Sequence, residues 1–162
     1  MSETTLKDIA ALLDSGKLSE RDLSVLEAQL TKLEQLKERE LIQKRFMKFV
    51  EKVWPSFIGG RHHDRMAAAF ERVANGECKR LIINMPPRHT KSEFASYLLP
   101  AWFLGKYPGK KVIQTSHTAE LAVGFGRKVR NLVDTELYQS IFPELHLQSD
   151  SKAAGRWNTS KG

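Results

Sequence analysis

The chain has 162 residues, 41% hydrophobic and 28% charged, which suits one soluble domain with a helical appendage. A single cysteine, Cys78, excludes an internal disulfide framework and cannot form a zinc site alone, so it reads as an inert thiol in a reducing cytosol. The formal net charge of +7 lies entirely in residues 46–162, with eighteen Lys/Arg against ten Asp/Glu; residues 1–45 hold eight against nine. A polyanion, nucleotide or DNA, is one partner that such a surface fits. A merely solvated basic surface is the other reading. The polar start MSETTLKDIA is no signal peptide, and the most apolar stretch, Phe94 to Leu104, carries Pro100 and is too short to span a bilayer.

Thr4 to Leu13 places Leu6, Ile9, Ala10 and Leu13 at helical spacing, and Gly16 suits a C-terminal cap. Ser19 with Asp22 resembles an N-terminal cap for a second helix running from Glu20 to about Val53. Its stripe of Leu23, Leu26, Leu30, Leu33, Leu36 and Leu41 is a docking face, either for the first helix or for a partner. Phe46, Phe49, Val50, Val53 and Trp54 lead into the main core, and Pro55 ends the helix. A glycine turn and His62-His63 then open a helix over Asp64 to Ala74, closed by Asn75-Gly76. The two histidines have no ligand cluster beside them. A surface turn and a contact to a nucleotide base both fit them.

Lys79 to Glu93, KRLIINMPPRHTKSE, is the stretch around which the rest is organised. Leu81-Ile82-Ile83 reads as a strand, Pro86-Pro87 as a turn, and a helical pattern begins at Lys91. Strand, loop, Lys-Ser and helix is the order of a phosphate-binding loop. There, backbone N–H groups and the helix start hold phosphate, the lysine reaches the β/γ-phosphates and the hydroxyl ligates Mg²⁺. Met85 and Thr90 stand where the pattern GxxxxGK[ST] has glycine. A basic strand-to-helix turn is the alternative.

The helix from Lys91 to about Leu104 should kink or end its first part at Pro100. Lys106 to Gly109 is a turn, and Lys111 to Ser116 reads as a second strand. The expected fold class is therefore α/β: a parallel sheet of the P-loop NTPase kind, strand–loop–helix–strand, behind an N-terminal helical hairpin. A right-handed crossover would place the Ser116-His117-Thr118 turn beside the phosphate loop. Thr118 can cap a helix carrying Ala122, Phe125, Val129, Leu132 and Val133 on one face. Gly124 and Gly126 weaken that helix and would let another backbone, or DNA, come close. Leu137 to Phe142 adds a short helical piece, and Trp157 is the one apolar anchor in the polar stretch beyond Ser149.

Taken together, MPPRHTKSE, QTSHTAEL and SKAAGRW resemble the N-terminal ATPase region of tailed-bacteriophage terminase large subunits, over about Phe46 to Gly162. The resemblance implies an ATP-binding front portion (46–162) behind a helical arm (1–45), in a motor that drives DNA into a procapsid. It implies that Pro87, Arg88, His89, Thr90, Lys91 and Ser92 bind ATP. Lys91 would meet the β/γ-phosphates and Ser92 would ligate Mg²⁺. Arg88 would act as an arginine finger on the γ-phosphate, or as a plain phosphate contact. His63 falls on the adenine side. Implied partners are double-stranded DNA, the rest of the large subunit, the small terminase subunit, the portal protein and further copies in a homo-oligomeric ring, in the host cytoplasm and with no membrane. Hydrolysis in that family uses a strand ending in Asp-Glu and DNA cutting uses an acid cluster; no Asp-Glu or Glu-Asp pair occurs here. The expectation is a front fragment that binds ATP and turns it over little. A non-enzymatic DNA-binding or assembly module, docking to the small subunit or portal, is the competing class; a small kinase would need an acceptor site and lid that are not visible.

Overall fold

The structure, a computed structural model, describes residues 20–148 and 155–161. The helix expected over Thr4 to Leu13, with its caps at Gly16 and Ser19, lies outside the described residues. The chain divides between Arg39 and Glu40 into two compact units. Helix α1, Glu20–Lys44, begins in the first. There Leu23, Leu30 and Leu36 remain exposed along it.

The long helix expected to run on to Val53 is broken at Arg45, whose backbone is extended (φ −113°, ψ 118°), and α2 restarts at Phe46–Val53. The break has a partner. Arg45 offers no side-chain cap, so the Glu71 carboxylate takes over: Oε1 accepts from the Phe46 amide at 2.9 Å and from Arg45 Nε at 3.2 Å. An acid at a helix start also suits the helix dipole. Glu71 belongs to α3, Arg61–Ala74. That helix ends as Asn75-Gly76 suggests: the Glu77 amide bonds the Arg72 carbonyl, the Gly76 amide bonds Val73, and Gly76 sits at φ 80°.

The expected parallel sheet is absent. Among the described residues no strand forms, and the only β pairing is an isolated antiparallel bridge between Leu147 and Thr159. Leu81–Ile83 and Lys111–Ser116 run without ladder hydrogen bonds, leaving Ile82 and Ile113 86% and 90% exposed. Two physical reasons overturn the expectation. Parallel alignment of these runs sets Lys79-Arg80 beside Lys110-Lys111, like charge against like. And a pair this short makes too few slanted bonds to offset the ordering of its backbone.

The chain is helical instead. From Lys91 a helix runs through a π-helical stretch, Glu93–Leu98, into α4, Leu99–Lys106. The π-helical first part ends at Leu98 and Pro100 stands in the opening turn of α4, so the proline does mark the end of the first part while the chain stays helical across it. The Leu99 amide reaches back five residues to the Phe94 carbonyl, a π turn that lets the ring pass. Proline lacks the N–H that would bond Ser96 four residues earlier; the Gln114 side-chain amide donates to that carbonyl instead. Gln114 thereby ties the second extended segment to the helix rather than to a strand.

α5, Ala119–Val133, is capped by Thr118, whose Oγ1 accepts from the Leu121 amide at 3.3 Å. α6, Glu136–Ile141, is capped likewise by Thr135. The core centres on Phe46, whose ring meets Phe70, Phe94 and Trp102 edge-on at 5.4 to 5.6 Å. Trp157 donates from Nε1 to the Gly126 carbonyl at 3.1 Å, an ordinary approach that any residue at 126 would permit, and no backbone of another segment comes within 4 Å of the Cβ position of Gly124 or Gly126 among the described residues. Among the described residues no helix is long and apolar enough to cross a membrane.

Candidate functional site

Between the two prolines and the helix start, the backbone departs from ordinary geometry. Arg88 (φ 63°) and Thr90 (φ 57°) are the only non-glycine residues at positive φ among the described residues. Each costs about 1–3 kcal/mol, a strain that collects where backbone amides must point at something. Alternation of left-handed and ordinary residues turns successive N–H groups toward one side, the geometry of an anion-binding nest. The helix adds to this. Its first backbone bond runs from the Phe94 amide to the Thr90 carbonyl at 2.9 Å, so the Lys91, Ser92 and Glu93 amides precede it. Neither do the Arg88, His89 and Thr90 amides donate to any backbone carbonyl among the described residues.

Side chains complete the loop. Arg88 and Ser92 are exposed, and the Ser92 hydroxyl has no hydrogen-bond partner among the described residues. Lys91 Nζ lies 3.4 Å from the Met85 carbonyl, a long contact that folds the ammonium back over the loop it starts from. His89 Nδ1 pairs with the Pro87 carbonyl at 2.8 Å, closing the turn. Pro87, Arg88, His89, Thr90, Lys91 and Ser92 therefore form one contiguous basic rim around a helix start.

Twenty-seven positions earlier in sequence, His63 reaches the same loop: its Nε2 is 2.6 Å from Thr90 Oγ1. The ring is only 5% exposed and is wedged between Phe57 and Phe94, with centroids at 4.8 and 5.0 Å. Thr90 Oγ1 also donates to the His89 carbonyl at 2.7 Å. A hydroxyl has one proton. If it goes to His89, His63 must donate from Nε2, and its buried Nδ1, which has no hydrogen-bond partner, is a bare lone pair. The opposite tautomer would bury an N–H with nothing to accept it, the costlier arrangement. His63 is thus held neutral, its pKa pushed below the usual histidine value first by burial and then by His62, with His89 adding to the effect and Asp64 opposing it.

His62 is exposed and stacks on His63 at 3.8 Å, with His89 at 5.9 Å. Among the described residues no group of three or more His, Cys, Asp or Glu is placed to hold a metal ion by itself. The one carboxylate in the helix's first turn, Glu93, is paired with Lys128 of α5 at 2.8 Å. The hydrogen bonds of the Ser116-His117-Thr118 turn are local. Its expected place beside the loop was argued from the sheet and falls with it.

The sequence missed the His63–Thr90 bond and the Glu93–Lys128 pair. A threonine standing where the pattern has glycine was the available signal for the first. An open groove of about 790 Å³ runs along the same unit, floored by Val112, Val123 and Val129 of the second extended segment and α5. Lys110, Lys111, Arg156 and Lys161 line it, and among the described residues no carboxylate does. Comparison with known proteins finds no matching family model, no matching curated protein and no matching solved structure.

Proposed function

We propose that the Pro87–Ser92 loop binds the phosphates of Mg·ATP, and that this chain is the ATP-binding portion of a viral DNA-packaging ATPase of the terminase large-subunit kind, acting in the host cytoplasm. The observation that carries the proposal is the paired left-handed backbone at Arg88 and Thr90 directly ahead of a helix start. Non-glycine residues hold that geometry only where surroundings enforce it, and the turn it makes gathers amides toward an anion. It needs no sheet.

The residues fit a triphosphate bound with its magnesium ion. The free Ser92 hydroxyl is the metal-side group, and the helix-start amides and Lys91 meet the β/γ-phosphates. Arg88, exposed at the loop's tip, supplies a second cation for the γ-phosphate. Hydrolysis asks for a carboxylate free to activate water. No Asp-Glu or Glu-Asp pair occurs in the sequence to supply one, so the expected behaviour is ATP binding without rapid turnover.

Isothermal titration of the whole chain with Mg·ATP tests this. Lys91→Ala should weaken binding by at least about tenfold, the worth of one charge-assisted phosphate contact. Equal affinities for the two proteins would remove Lys91, and with it the loop, from the role. A second reading, a DNA-contacting module, is favoured by the groove, where every charged lining residue among those described is a cation.

A further inference from the structure

We infer that His63 is a positioning residue for the phosphate loop: its Nε2–H, bonded to Thr90 Oγ1, clasps Thr90 in the left-handed conformation that a glycine there would adopt unaided. This rests on the nucleotide-binding reading above and adds to it the device that lets a threonine serve in the glycine's place.

Three observations carry the inference. Thr90 is β-branched and sits at φ 57°, a region such side chains avoid. Such a residue persists there only when neighbours over-determine it. The neighbours here are its own side-chain bond to the His89 carbonyl, the helix bond from Phe94, and the imidazole of His63. Only the last comes from outside the loop. It is also rigid. The ring is packed between Phe57 and Phe94 at the first turn of α3.

The geometry also explains why a buried nitrogen goes unpaired. Using Nε2 for the clasp fixes the tautomer and leaves the buried Nδ1 with no hydrogen-bond partner among the described residues. The unpaired nitrogen follows from directing the donor at Thr90.

The test compares Mg·ATP binding by the whole chain in four forms besides wild type. His63→Phe keeps the ring packing and removes the donor; His63→Gln keeps a donor near the Nε2 position. Thr90→Gly removes the need for a clasp, and the fourth form combines Thr90→Gly with His63→Phe. His63→Phe should bind about tenfold more weakly, the equivalent of one lost loop constraint. His63→Gln should recover most of that loss. In the Thr90→Gly background, His63→Phe should bind within about twofold of its parent, a difference too small to count as coupling.

If His63→Phe binds as wild type does, or loses as much in the Thr90→Gly background as in the Thr90 one, His63 is only core packing and the clasp is wrong. Nitrogen NMR of wild-type His63 without nucleotide gives a second check that needs no variant. The neutral Nε2–H form is expected, and an Nδ1–H form would overturn the inference even if His63→Phe cannot fold. If wild type itself shows no binding, the nucleotide reading fails and the clasp fails with it; a clasp failure alone leaves the Lys91→Ala effect intact.

Discussion

Thr90 and Arg88 carry side chains through a region of backbone space that glycine enters freely, and the surroundings bear that cost. At His63 the same surroundings set a proton equilibrium. Burial, with His62 and His89 nearby, holds its folded pKa below the ordinary 6.5, while Asp64 pulls the other way. A group that binds protons more weakly when folded makes stability rise with pH, because the unfolded chain takes up the proton first. The contribution is unaffected above the ordinary value and stability is lost as pH falls below it. Urea midpoints measured between about pH 5 and pH 7 should therefore climb in wild type more than in His63→Phe. Parallel slopes would show that His63 does not titrate against folding. The lysine and the serine of the loop were legible in the sequence, since a turn, a Lys-Ser pair and a helix pattern are neighbours in the chain. The His63–Thr90 contact was not, because a bond spanning residues 63 to 90 leaves no local periodicity.

Among the elements, the helix of Lys91 to Lys106 shows what a proline costs and how it is accommodated. A break in the first part of the helix at Pro100 was the expectation from the missing N–H, and the π-helical part does end at Leu98. The π turn and the Gln114 amide, which satisfy the carbonyls the proline leaves, are not visible in a window centred on it. The same helix contains Gly105, where helix propensity and packing oppose each other. Alanine gains about 1 kcal/mol over glycine within a helix. A Cβ at this site, however, would lie 2.5 Å from the buried Phe142 ring. Overpacking of that kind costs about 1–3 kcal/mol, so packing wins. Gly105→Ala should lower the urea midpoint, corresponding to a net loss of about 1 kcal/mol. A raised midpoint would mean that the ring has room to move. The two supposed strands failed for a reason the residues did contain. Their flanking Lys-Arg and Lys-Lys pairs were counted toward a polyanion partner, and their repulsion across a parallel pair was not considered.

At the scale of the molecule, charge is the property that any polyanion meets first. The whole excess lies beyond residue 45, and the groove gathers Lys110, Lys111, Arg156 and Lys161, with no opposing acid among the described residues. If those cations neutralise DNA phosphates, each contact releases counterions and the logarithm of affinity falls linearly with that of salt. Reversing two of them, as Lys110→Glu with Lys111→Glu, should flatten the salt slope by about two units in a filter-binding titration with duplex DNA. An unchanged slope would take the groove out of the DNA reading. Binding that responds to Mg·ATP would join the loop and the groove in one function, whereas indifference to nucleotide would favour the DNA-contacting module.

Ile82 and Ile113 lie on bare extended backbone, and that has a practical side. Unpaired amides and carbonyls beside β-branched side chains are a template for any other extended chain that drifts past. The flanking Lys79-Arg80 and Lys110-Lys111 oppose such pairing while salt is low, and dense material at high salt, where that repulsion is screened, will tend to knit into fibrous deposits through these ribbons. Dilute storage at low salt is what keeps it clear.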